Sequence, residues 1–185
     1  MDWEFAGVIA GFVAVVVALY QLRSQIELQT RERAVEAYFR FTDRFSELSQ
    51  QYHAFVRRAA LRDTSVLRSD AEDFFREYWQ AQLQQWEFVG TGLLPAKIYA
   101  RWLLYANDYM FAGRDFPYYS RGKRTSMSAL SGYENIGRVV LRNQPEALNF
   151  FDRLLKVSTT EASRFEIILA QVNAQRRNGR KRWSN

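Results

Sequence analysis

The residues best suited to chemistry in this 185-residue chain lie in one segment, Gly113 to about Ser128. There Arg114, Arg121, Lys123 and Arg124 interleave with Phe116, Tyr118 and Tyr119. Cations beside aromatic rings suit unpaired nucleotides, because charge meets phosphate and a ring face meets the base. Just beyond, Arg138 and Arg142 stand one helical turn apart, so two guanidinium groups reach one anion. Arg114, Tyr118, Tyr119, Arg121, Lys123, Arg124, Arg138 and Arg142 thus form a candidate site for a nucleotide or a short single-stranded nucleic acid. A solvated connecting loop with ordinary ion pairs would use the same residue types. The run Gly122-Lys123-Arg124-Thr125 is not a phosphate loop, since Pro117 stands where the leading glycine belongs and Arg124 where Ser or Thr is required.

Other chemistry is sparse. The chain has no cysteine and one histidine, which excludes thiol nucleophiles, disulfides and metal sites built from Cys or several His. His53 lies near a helix seam with no carboxylate or nucleophile motif beside it, so a packing role is expected. Asp70, Glu72 and Asp73 occupy a first helical turn, where carboxylates complement the dipole. No GxSxG, HExxH, CxxC or dinucleotide fingerprint occurs, so neither catalysis, a metal nor a cofactor is expected.

Charge points the same way as the loop. The chain holds 26 basic and 20 acidic residues, formally +6. Residues 109–144 contain 6 basic and 2 acidic side chains and residues 145–185 contain 8 and 4, so the positive field is localised. The last of it is a tail, Arg176, Arg177, Arg180, Lys181 and Arg182 followed by Trp183. Such a tail suits anionic lipid, nonspecific nucleic acid or simple solvation.

The elements that must position this segment begin with a membrane span. Phe5 to Leu22 carries no charge, and as a helix it covers about 27 Å, enough for a bilayer core, with Trp3 and Tyr20 near its ends. Asp2 and Glu4 replace the basic start that a cleaved signal needs. Arg23, Arg31, Arg33 and Arg40 behind the span keep the C-terminal side cytoplasmic and the N-terminus out, as for a single-pass inner-membrane protein. Ala6, Gly7, Ala10, Gly11, Ala14 and Ala18 give a small-residue face for self-association. A pore lined by this helix would be hydrophobic and gate by wetting.

From Phe12 through Val89 no glycine or proline interrupts the chain, so the helix is expected to continue outward. Ala34, Tyr38, Phe41, Phe45, Leu48, Tyr52, Phe55 and Ala59 alternate spacings of four and three, with Glu27–Arg31 and Glu36–Arg40 pairs on the wet side. Ser69 with Glu72 predicts a capping box opening an aromatic helix that closes at Gly90 and Gly92, and Pro95 starts a shorter helix to about Asp108. Ser131 with Glu134 predicts a further cap. After Pro145, Leu148, Phe151, Leu155, Ser158, Ala162, Phe165, Leu169 and Val172 predict a second rod ending before Gly179. No strand is expected.

A short outward N-terminus, one span, a charged helix and then an aromatic helix running into Gly90, Gly92, Leu93, Leu94 and Pro95 resemble uncharacterised single-span bacterial membrane proteins grouped as a domain of unknown function. The resemblance covers about residues 5 to 155. The layout is also similar to transmembrane effectors of antiphage defence systems such as Hailong, in which a nucleotidyltransferase product controls an oligomeric channel. The resemblance implies a nucleotidyltransferase partner gene and no particular ligand residue. The expected fold is all-α: a transmembrane helix continuous with a long cytoplasmic helix, packed in a helical bundle and homo-oligomeric. Its parts are residues 1–22, N-terminus and span; 23–175, cytoplasmic domain; and 176–185, basic tail. The expected function is a ligand-gated, membrane-depolarising effector that binds lipid, its own copies and an anionic nucleotide. The alternative is a membrane-tethered scaffold for a protein partner.

Overall fold

The computed structural model describes residues 3–106, 115–156 and 164–183, with side chains described over 17–105, 115–156 and 164–175. The chain is mostly helical, with α1 (Trp3–Ala60), α2 (Arg68–Thr91), α3 (Ala96–Ala106), α4 (Ala129–Gly132), α5 (Arg138–Leu141), α6 (Pro145–Leu154) and α7 (Arg164–Trp183). A π-helical turn, Tyr133–Gly137, joins α4 to α5. The segment expected to be a loop is a β-hairpin, β1 (Asp115–Ser120) antiparallel to β2 (Lys123–Ser128).

Helix α1 runs unbroken for 58 residues, as the absence of glycine and proline from Phe12 onward predicts. Its buried stripe is Ala37, Phe41, Leu48, Tyr52 and Ala59, so the seam read from the sequence is the packed one over its second half. Tyr38, in that reading part of the seam, is 37% exposed. The ion pairs differ: Glu27 pairs with Arg23 at 3.2 Å instead of Arg31, and Arg44 bridges Glu47 at 2.9 Å and Glu77 of α2 at 2.7 Å. Most of the expected span, including Ala6, Gly7, Ala10, Gly11 and Ala14, lies outside the described side chains, and Ala18 is exposed. Among the described residues, no helix is long and apolar enough to cross a membrane.

The α1 helix ends on a left-handed residue, Arg62, with φ 59°, and Asp63 N–H donates to the Arg58 carbonyl at 3.0 Å. Arg58 Nε reaches Asp63 Oδ2 at 2.8 Å and Ser65 N–H donates to Asp63 Oδ1 at 2.9 Å, so one carboxylate closes the turn. The hydroxyl of Ser65, then the Arg58 guanidinium, draw that carboxyl down to about 2.

Helix α2 is the centre of the bundle. It buries Phe74, Phe75, Tyr78, Trp79, Trp86 and Val89, and α1, α3, α7, the π turn and β1 all pack on it. Its N-terminus is capped by Asp70, whose carboxylate accepts the Leu67 N–H at 2.6 Å, so the capping pair lies two residues before the expected Ser69 and Glu72. It closes at Gly92, which adopts φ 82°. The expected second rod is divided: α6 stops at Leu154 and α7 begins at Arg164, while Ser158 and Ala162 lie outside the described residues. The α6 core face is Ala147, Phe150, Phe151 and Leu154, rotated from the predicted Leu148 and Leu155. Helix α7 continues past Gly179 to Trp183, taking the basic run into its last turns.

Candidate functional site

The hairpin turns through two residues with positive φ, Arg121 at 50° and Gly122 at 74°, a geometry whose twist matches paired strands. Its register sets Tyr119 opposite Arg124, Tyr118 opposite Thr125 and Ser120 opposite Lys123. Arg121, Lys123 and Arg124 therefore meet at one exposed tip, with the half-buried Tyr119 ring beside Arg124. Among the described residues none of these three cations makes an ion pair.

The base of the hairpin is fixed by aromatic packing. Phe116, 1% exposed, lies 4.8 Å from Phe55 and 5.2 Å from Phe74 between ring centres, joining α1, α2 and β1. Tyr119 N–H donates to the Val66 carbonyl at 2.7 Å, so the strand also holds the α1–α2 link. Tyr118, expected to stack on a ligand, is 9% exposed and belongs to the core. Phe116 and Tyr118 share one face of the strand, while Pro117, which is also buried, and the half-buried Tyr119 lie on the other.

A groove of about 400 Å³ runs between α1 and the hairpin, lined by Tyr52, Val56, Asp115, Pro117, Arg124, Thr125 and Ser126. Its chemistry is mixed. Ser126 Oγ donates to Asp115 Oδ2 at 2.9 Å, and Tyr52 Oη donates to the Asp115 carbonyl at 3.4 Å. The Asp115 carboxylate repels a second anion in the groove, so the tip is where an anion meets only positive charge.

The two arginines beyond the hairpin stand elsewhere. Arg138 Nη2 and Tyr133 Oη both donate to Asp152 Oδ1, at 2.8 and 2.6 Å, and the guanidinium carbon lies 5.8 Å from the centre of the Tyr133 ring. Burial pushes the Asp152 carboxyl up, but the hydrogen bonds from Tyr133 and Arg138 outweigh it and leave its pKa below the ordinary value. Burial, then the Asp152 carboxylate, raise the Tyr133 phenol well above its usual range. Arg138, still half exposed, thus already donates to Asp152, while Arg142 one turn on is exposed. Arg114 lies outside the described residues.

Two other expectations change. Ser128, not Ser131, caps α4, with its Oγ accepting the Ser131 N–H at 3.1 Å. His53 is exposed on α1, edge-on to Tyr52 at 5.7 Å, so it is not a core residue. Among the described residues no group of His, Cys, Asp and Glu could hold a metal ion. The groove partners Tyr52, Asp115, Thr125 and Ser126 escaped sequence reading. The signal that could have found them is Gly122, the one residue of the turn that adopts positive φ at no steric cost. No protein-family model, curated protein or solved structure matches the chain.

Proposed function

We propose that this protein is a membrane-anchored, homo-oligomeric effector. Its helical bundle binds an anionic, nucleotide-like ligand at the hairpin tip, and α1 carries the response to the bilayer, depolarising it. The observation that carries this reading is the continuity of α1, whose Tyr52 and Phe55 pack against the base of the hairpin while the same helix extends back to Trp3. From Phe12 to Ala60 the helix contains no glycine or proline to act as a joint, so displacement at its hairpin end is carried back toward the span. Arg121, Lys123 and Arg124 supply charge at the input end, and Tyr119 supplies a ring beside Arg124. The similarity in layout to antiphage effectors fits a nucleotide made by a neighbouring nucleotidyltransferase.

Assembly has its own support. Leu28, Val35 and Phe39 are 58%, 54% and 59% exposed, and their spacings of seven and four place them on one side of α1, opposite Ala37, Phe41 and Leu48. That stripe suits a neighbouring copy of the helix. It also favours a second reading, a tethered scaffold that pairs with a helix of another protein.

The test is membrane potential, followed with a voltage-sensitive dye in bacteria expressing the full chain with and without a co-expressed nucleotidyltransferase. Depolarisation that requires the enzyme, and that Arg121→Glu with Arg124→Glu abolishes while crosslinked oligomers persist, is the expected result. Unchanged ligand affinity in a titration of that double variant would sink the site. Absence of ion flux in every condition, with a partner protein crosslinked through Val35, would favour the scaffold.

A further inference from the structure

A second cavity, of about 290 Å³, opens where α1, α2 and α3 meet, and it is separate from the hairpin tip. Thr42 and Phe45 of α1, Gln82 and Gln85 of α2, and Trp102 and Tyr105 of α3 line it. Rings form the walls: Phe45 lies edge-on to Tyr105 at 5.7 Å, and Trp102 is braced by Tyr38, stacked at 5.5 Å, and by Phe41 at 6.4 Å. Among the described residues no charged side chain lines it.

The two glutamines are anomalous. Each is 4% exposed, in a stripe of α2 otherwise filled by Tyr78, Ala81, Trp86 and Val89. Among the described residues, the Gln82 carbonyl oxygen, Oε1, is buried without a hydrogen-bond partner. Buried acceptors are nearly always satisfied, so one that lines a cavity calls for a donor within it. Water would satisfy Oε1 but gains little against the aromatic walls, which favour the face of an apolar ring.

We propose that this cavity binds a small, planar, uncharged nitrogen heterocycle of one or two rings, with a ring N–H donating to Gln82 Oε1 and its faces against Trp102 and Phe45. Three physical constraints select that class. A charged ligand would lose its hydration with no counter-ion to replace it. A hydrocarbon would leave the carbonyl unsatisfied. The volume is at the small end of ligand pockets, which excludes larger molecules. The bound ring would join α1 to α3 where the packed half of α1 begins, immediately below Ala37 and Phe41. This inference does not depend on the membrane or anion reading.

The experiment is equilibrium dialysis of the full chain in detergent micelles against micelles alone, at mildly alkaline pH, with benzimidazole and 1-methylbenzimidazole as probes. The two differ by one N–H replaced by a methyl group. Benzimidazole should be retained above the micelle background, the methylated probe about tenfold more weakly. Gln82→Leu should erase that preference, and Thr42→Trp should block retention of both. No retention above micelles, no preference in the native chain, or a preference that survives in folded Gln82→Leu would each overturn the proposal. If Gln82→Leu does not fold, the native chain's choice between the two probes decides alone.

Discussion

Arg124 and Arg138 look alike along the chain, since both lie in the basic stretch and both have tyrosine nearby, yet the fold uses them in opposite ways. Arg124, at the tip of a two-stranded hairpin, has no ion pair among the described residues and faces an open groove. Arg138, on the helical turn after the π segment, is paired with Asp152 and lies over the Tyr133 ring. The difference teaches that an arginine's availability is set by what its element packs against. The hairpin presses Phe116, Tyr118 and Met127 onto the bundle, with Pro117 also buried, and leaves its tip in solvent. The π turn lies against α2, and α6 carries Asp152 to the guanidinium that α5 offers.

The π turn owes its place to two glycines. A Cβ at Gly132 would stand 2.5 Å from Phe75 Cδ1, and one at Gly137 would stand 2.7 Å from Tyr133 Cδ2 and 2.8 Å from Trp79. These approaches leave no room for a side chain unless core rings move. The strongest way to break the contrast is therefore Gly132→Leu, expected to destabilise the fold by about 3 kcal/mol in urea unfolding, through overpacking against Phe75. A loss within error would mean that the π turn does not rest on α2 as described.

Next in size is Tyr133→Phe. Removing the hydroxyl takes one donor from Asp152 and should cost about 1 kcal/mol. Combined with Asp152→Asn, the losses should fall short of additive, because both act on one network. Full additivity by a double-mutant cycle would dissolve the cluster as a unit.

A smaller effect concerns pH. Asp152 and Asp63 have folded pKa values lowered below those of the unfolded chain, Asp63 to about 2. The sign follows: both contributions are fully present above the ordinary carboxylate value and are lost as pH falls through the folded values. The urea midpoint should decline between about pH 4 and about pH 2, less steeply in Asp152→Asn. An identical slope in that variant would show that Asp152 is not held in its charged form by the fold.

Least disruptive to stability is Arg121→Glu with Arg124→Glu, expected within about 0.5 kcal/mol of the native chain, as for surface changes in general. A larger loss would mean that the tip is held by contacts, as Arg138 is, and would remove the distinction between the two sites.

Much of the helical plan was legible. The glycine- and proline-free stretch marked α1, the four-three spacing from Phe41 to Ala59 marked its buried stripe, and Gly92 and Pro95 marked the break before α3. The hairpin was not, for two local reasons: Pro117 argues against a strand because it cannot donate to a ladder, and Arg121 is not a residue expected at positive φ. It forms because Phe116 and Met127 bury one face and Gly122 permits the turn. The aromatic cavity was invisible for a different reason. Gln82 and Gln85 read as ordinary helix residues until α1 and α3 enclose them.

The sequence by itself determined where helices run, where they are punctuated and where positive charge accumulates, because backbone propensity, apolar spacing and charge are properties of neighbours along the chain. Tertiary structure alone decided which arginines are free, which tyrosine is core and which glutamines face a cavity. Those outcomes depend on partners such as Asp152, Phe74 and Trp102, which packing brings near from distant positions and which no local pattern encodes.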